Sequence, residues 1–210
     1  MVKRRRRQPG ARVNPYISLL LLVAIGVGTW KLEQPLRQTV LWLALLLAAL
    51  VYVEARPVRA SFSWTNVGWG VLIGVVASVP FMAFGWSRLP EFVATILGTS
   101  DGLLLFYQLV LVAAPLEELY FRGFVQRELG LPISIALYAL VALVFFLPVP
   151  GLRIGDLALV VGLYAIIGLV QSYVYRRLGL SAAIASRVTI NLLALVLPVA
   201  ISSLSPLVQS

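Results

Sequence analysis

The 210-residue chain contains no cysteine and no histidine. Without cysteine there is no disulfide framework and no thiolate metal site. Without histidine the chain lacks the commonest general base, the commonest metal ligand and the one side chain that titrates near neutral pH unperturbed. Charge is scarce as well. Only 12% of the residues are charged, against about a quarter in an ordinary soluble domain. A chain this poor in charge and 60% hydrophobic, with a mean hydropathy of +0.96, cannot cover a water-facing surface. Lipid suits it, and in lipid a helical bundle satisfies its own backbone hydrogen bonds.

What charge there is sits at one end. The net charge is +9, and six of the seventeen Lys and Arg fall in the first twelve residues, as Lys3 to Arg7 and Arg12. A basic run directly before an apolar span reads as a cytoplasmic topology signal that attracts anionic lipid, and not as a nucleic-acid surface. Residues 1–15 are therefore expected to be a basic cytoplasmic tail, and residues 16–210 one transmembrane helical domain.

Seven apolar stretches follow: about Tyr16 to Trp30, Val40 to Val53, Val67 to Trp86, Gly102 into Glu117, Leu131 to Leu147, Leu157 to Tyr175 and Ala182 to Leu204. Some fall short of the ~20 residues that cross a bilayer comfortably. The expected fold class is all-α, a polytopic membrane bundle of about seven helices. Alternating from an inside N-terminus puts Lys3 to Arg7, Arg12, Arg56, Arg59, Arg122, Arg127, Arg176 and Arg177 inside. Lys31, Arg37, Arg88 and Arg153 then lie in outside loops, with Arg187 inside a span. That asymmetry follows the positive-inside rule and sends the C-terminus to the opposite side of the cell membrane. The first stretch also has the form of a signal peptide with a weak Gly26-Val27-Gly28 cleavage site, but an uncleaved anchor is the preferred reading. Gly70-x-x-x-Gly74 is a small-residue helix contact, read as ordinary packing.

Of the eight acidic residues, six lie at span ends or in loops. Asp101, for example, is placed to cap the fourth span. Glu117 and Glu118 differ, because they follow the apolar run Leu103 to Leu116 without a loop. Paired carboxylates at membrane depth are costly and mark a functional hypothesis, the alternative being an ion pair at the helix end. Glu118 and Arg122 are four residues apart and share a helix face. So do Arg187 and Asn191. At ~1.5 Å per residue, Glu117 and Asn191 each stand about 16 Å from the inner ends of their spans and Arg187 about 10 Å. A buried Arg at that depth is the partner two buried carboxylates need.

The stretch Ala114-Pro115-Leu116-Glu117-Glu118-Leu119-Tyr120-Phe121-Arg122-Gly123-Phe124 resembles the first motif, E-E-x-x-x-R, of the CAAX-protease and bacteriocin-processing (Abi) family of intramembrane endopeptidases. The second motif, F-x-x-x-H, is matched at Phe145 but has Val149 for the His. The third, H-x-x-x-N, keeps Asn191 and has Arg187 for the His. The lead-in from Gly168 through Tyr175-Arg176-Arg177-Leu178-Gly179 to Ser181 is also similar, and the resemblance covers about residues 102–195. It implies an intramembrane protease in which the Glu pair and two His activate a water, with or without a divalent metal, while Asn and a His steady the oxyanion. Here Glu117, Glu118, Arg122, Arg187 and Asn191 occupy the motif positions.

With both His replaced, two carboxylates alone are poor Zn²⁺ ligands, and no cofactor is expected. Arg187 would hold the carboxylates ionised and weaken them as bases. The expectation is a catalytically silent member whose Arg187 pairs with Glu117 or Glu118, acting as a scaffold or a subunit bound to another membrane protein. Two alternatives stay open. One is an active endopeptidase using a Glu-activated water and Arg187 as oxyanion donor. The other is a small transporter, for which Gln108 and Gln171 are the further polar groups along a path, unless both are plain interhelical hydrogen bonds.

Overall fold

The computed structural model describes residues 14–55 and 62–208. The basic residues of the N-terminal tail, and Arg56 and Arg59, lie outside the described residues. Eight helices make up the described chain: α1 (Pro15–Gly28), α2 (Gln34–Ala55), α3 (Trp64–Gly85), α4 (Leu89–Leu97), α5 (Gly102–Leu129), α6 (Leu131–Phe146), α7 (Ile154–Leu178) and α8 (residues 180–208). Five of them, α2, α3, α5, α7 and α8, are long and apolar enough to cross a bilayer. The architecture is an all-α, multi-pass membrane bundle.

Each of the seven apolar stretches is a helix, but α1 and α6 have only 14 and 16 residues. They reach about 21 and 24 Å, short of the ~30 Å hydrocarbon core. Two details correct the sequence reading. The stretch with Arg88, expected to be a loop, contains α4, whose Leu89, Val93, Ile96 and Leu97 are buried. And α2 begins at Gln34, six residues before the expected span. Pro35 fits there, because the first turn of a helix needs no N–H donor from it. This early start draws Arg37 out of the outside loop and into the interior, where it is 1% exposed.

The helix ends follow local chemistry. Asn14 Oδ1 accepts from the Tyr16 N–H at 3.0 Å to start α1. Asp101 Oδ1 accepts from the Leu103 and Leu104 N–H groups at 2.9 and 3.2 Å to start α5, as expected of that residue. Gly130 and Gly179, with φ of +84° and +90°, make one-residue joints between α5 and α6 and between α7 and α8. Only glycine takes such a conformation without strain.

Gly70 and Gly74 do serve packing within the chain. A Cβ on Gly70 would collide with the Ala182 backbone. One on Gly74 would stand 2.6 Å from Thr189 Cβ and 2.7 Å from the Ser186 carbonyl. The two glycines let α3 lie directly on α8, and Asn66 Nδ2 ties the seam at one end to the Leu178 carbonyl at 2.9 Å. The core around α5 is aromatic: Tyr52 stacks on Phe124 at 4.0 Å, and Phe121 meets Tyr138 edge-on at 4.8 Å.

Candidate functional site

The long helix α5 is not uniform. It widens into π-helical turns over Phe106–Ala113 and Leu119–Val125, on either side of the α-helical Ala114–Glu118. Pro115 gives a physical reason for the first. It has no N–H to donate and its ring excludes a carbonyl one turn earlier, so the backbone must open there. A third π-helical turn, Asn191–Val196, lies in α8. Turns of this kind recur at functional sites because they re-aim side chains along a helix. Here they flank the two carboxylates and begin at Asn191.

All five motif residues are buried: Glu117 is 4% exposed, Glu118 and Arg122 0%, Arg187 3% and Asn191 1%. Arg187 reaches across from α8 and its Nη2 donates to Glu117 Oε2 at 3.0 Å. Tyr138 on α6 donates its hydroxyl to the same oxygen at 2.7 Å. Glu118 faces the other way and pairs with Arg122 Nε at 3.4 Å, one turn along α5. Arg122 Nη1 then donates to Ser134 Oγ at 3.1 Å and Ser172 Oγ at 2.9 Å, linking α5 to α6 and α7. Ser134 passes its own hydroxyl hydrogen to the Phe121 carbonyl at 3.0 Å. The two carboxylates and two guanidiniums balance in charge, which buried ions at membrane depth require.

The rings complete the cluster. Tyr138 lies between the cations, with its centroid 5.0 Å from Arg122 Cζ and 5.8 Å from Arg187 Cζ. Tyr164 on α7 stands 5.7 Å from Arg187. Asn191 does not turn to the carboxylates. Its Nδ2 donates at 2.7 Å to the Leu109 carbonyl, which also accepts from the Ala114 N–H across the first π-helical turn. Val149, the position the resemblance assigned to a histidine, is buried in the turn after α6. Gln171 is an interhelical hydrogen bond to Ser186 at 3.2 Å, as one of its expected readings had it.

Beside Glu117 is a small, partly closed cavity of about 40 Å³, walled by Trp42, Glu117, Phe145, Tyr164, Arg187 and Asn191 among others. Arg187 Nε and Nη1, Trp42 Nε1 and Asn191 Oδ1 have no hydrogen-bond partner among the described residues. The space admits a few water molecules at most. A divalent metal fits the donor set poorly. No group of three or more His, Cys, Asp or Glu occurs among the described residues, and each motif carboxylate is already in contact with a guanidinium.

Sequence reasoning missed Tyr138, Tyr164, Ser134, Ser172 and Arg37. Arg37 donates through Nη1 to the Phe145 carbonyl at 2.6 Å and through Nη2 to the Val144 and Gly26 carbonyls. It caps the C-terminal end of α6, where a cation also meets the negative end of the helix. In doing so it fixes Phe145 in the cavity wall. The usable signal was its position two residues after Pro35, a frequent first-turn residue.

Residues 99–193, which include all five motif positions, match a family model described as type II CAAX prenyl endopeptidase Rce1-like. No curated protein and no solved structure matches the chain. The glutamate pair at the centre of an all-α bundle, the spacing of its partners and the family match agree: the chain is a CAAX protease-like multi-pass membrane protein, similar over residues 99–193 to the type II CAAX prenyl endopeptidase Rce1-like family.

Proposed function

We propose that the protein is a catalytically silent member of this family that serves as a membrane scaffold or as a subunit of a larger membrane complex. One observation carries the reading: the Glu117 carboxylate oxygen that faces Arg187 and Tyr138 is engaged by both, beside a cavity of only about 40 Å³. Ligand sites measure about 300–1,000 Å³. A peptide bond must come within ~3–3.5 Å of an activated water to be cleaved, and this cavity holds no peptide segment. Arg187 stands at the position the resemblance gives to a histidine, and its guanidinium holds one Glu117 oxygen that an activated water would use. What remains is an ion cluster that joins α5, α6 and α8.

Without the buried Arg122 and Arg37, eleven cations against three support the N-terminus on the cytoplasmic side and the C-terminus on the opposite side. The partner implied by a scaffold is another membrane protein, with anionic lipid at the N-terminal tail.

A second reading rests on a different observation. The Arg187 Nε and Nη1 groups border the cavity without protein partners, and such donors can stabilise an oxyanion. This reading makes the chain an active endopeptidase once the cavity opens. Turnover separates the two. The chain is reconstituted in liposomes with prenylated CAAX peptides and with a peptide library, and products are followed by mass spectrometry. The silent reading expects the same product level from wild type, from Glu117→Ala and from empty liposomes. Reproducible cleavage that disappears in Glu117→Ala would overturn it.

A further inference from the structure

The small cavity beside Glu117 is built partly from outside the matched segment. Trp42 enters it from α2, and Ile96 and Leu97 from α4, all before residue 99. Arg187 and Asn191 enter it from α8. Trp42 is 3% exposed, and its ring stands 6.2 Å from that of Phe145 in the same wall. A buried polar group costs free energy until it finds a partner. Trp42 Nε1, Arg187 Nε and Arg187 Nη1 are donors without one, and Asn191 Oδ1 is an acceptor without one. Three donors and a single acceptor therefore belong to residues that line one space.

Charge leans the same way. Among the described residues the buried guanidiniums are those of Arg37, Arg122 and Arg187, and the buried carboxylates those of Glu117 and Glu118. Arg122 and Arg187 pair with the carboxylates. Arg37 bonds the carbonyls of Gly26, Val144 and Phe145, which leaves one buried positive charge without a counter-charge. Phe145 is itself in the cavity wall, so the uncompensated cation sits behind it. A net buried cation in a medium of low dielectric attracts an anion strongly.

Size and donor number select the anion. A water needs about 10–15 Å³ of such space, so a cavity of about 40 Å³ takes a monatomic anion and one water. An oxyanion such as sulfate or phosphate brings four oxygens to at most three donors. Its remaining oxygens would face Ile96, Leu97, Leu109 and Leu195 without partners. A halide accepts on one side and tolerates apolar contact on the other. The one carboxylate in the wall, Glu117, has its Oε2 turned to Arg187 and Tyr138. We propose that this cavity binds one chloride ion between Trp42 Nε1 and the Arg187 guanidinium, beside one water that donates to Asn191 Oδ1. The site rests on the silent reading, because it needs Arg187 held at Glu117. In return the ion ties α2 to α8 across the closed centre.

The test uses the full chain in neutral detergent at constant ionic strength, with sodium gluconate exchanged for sodium chloride or bromide. Gluconate is too large for the cavity. With nitrogen-labelled tryptophan in wild type, one indole N–H signal is expected to shift saturably with either halide, and that signal is absent from Trp42→Phe. The variant keeps an aromatic ring but loses the donor, so its halide affinity is expected to fall at least about tenfold. Halide at a hundred times its Kd is expected to raise the folded-to-unfolded ratio of wild type about a hundredfold. Anomalous scattering from crystals grown in bromide is expected to place the ion beside Trp42 and Arg187. Indole signals and stability that ignore halide overturn the proposal in favour of water alone. A wild-type halide response in folded Trp42→Phe, or bromide located elsewhere, overturns the placement. The wild-type signal needs no variant, so the test survives if Trp42→Phe does not fold. The silent reading fails on a different result, peptide turnover in liposomes, so the two failures are distinguishable.

Discussion

Replacing Arg187 by methionine keeps much of the side-chain volume and removes the charge that faces Glu117. The two side chains are 4% and 5% exposed and meet at 3.0 Å. At an effective dielectric of about 20, unit charges at that distance attract by roughly 5 kcal/mol. Removing one partner of a buried ion pair costs about 3–5 kcal/mol, because the other is left uncompensated. The Tyr138 hydroxyl stays at 2.7 Å and, as a hydrogen bond to a charged group, retains about 1.5–3 kcal/mol. The expected loss is therefore about 3 kcal/mol, near the lower edge of that range. Neutral interhelical hydrogen bonds in membranes average only about 0.6 kcal/mol, so the size of the loss identifies an ion pair. The assay is equilibrium unfolding in mixed micelles of detergent and dodecyl sulfate, followed by circular dichroism. Glu117→Gln and the double variant complete a mutant cycle, with an expected coupling of at least about 2 kcal/mol. A loss below about 1 kcal/mol for Arg187→Met, or simple additivity in the double variant, would refute the reasoning.

Three further outcomes are expected from the same unfolding assay. Arg37→Met leaves the Val144 and Phe145 carbonyls at the end of α6 without their cation, for a loss of about 2–4 kcal/mol, at 1–3 kcal/mol per orphaned buried group and with part regained by backbone adjustment. A loss under 1 kcal/mol would show that α6 needs no such cap. Gly74→Leu forces α3 away from the Ser186 carbonyl and Thr189; the overpacking cost is about 1–3 kcal/mol or more, while Gly28→Leu, with open space around its Cβ, is expected to be near neutral. Asn191→Ala removes the donor to the Leu109 carbonyl and costs about 1–2 kcal/mol, with faster amide exchange at Ala114 as the local readout.

The bundle was legible in the sequence because apolar run length carries the main constraint in lipid. Backbone groups must be satisfied within each span, so every long apolar run became a helix. The ends were less legible. Hydropathy treats Arg37 as a loop residue, yet three carbonyls of α1 and α6 hold its guanidinium inside the fold. Helix α4 escaped notice because a nine-residue helix with four buried apolar positions resembles a loop rich in aliphatics. At the site, depth and charge balance pointed from the glutamate pair to Arg187 without choosing between them, and the i,i+4 rule pointed from Glu118 to Arg122; the structure pairs Arg187 with Glu117 and Arg122 with Glu118. Tyr138 and Tyr164 gave no comparable signal, since a tyrosine in an apolar span reads as core until its hydroxyl partner is seen. The π-helical turns were invisible for a similar reason: Pro115 forecasts a break in α5 but not how the backbone opens.

The central claim is that Arg187 closes the family's glutamate centre through direct contact with Glu117. Solid-state NMR of the full chain in liposomes, with labelled arginine side-chain nitrogens and glutamate carboxyl carbons, measures that contact without reference to activity. The 3.0 Å contact between Nη2 and Oε2 predicts a strong nitrogen–carbon dipolar coupling that is lost in both Arg187→Met and Glu117→Gln. A wild-type spectrum without that coupling would contradict the account and leave Glu117 free to act on a water.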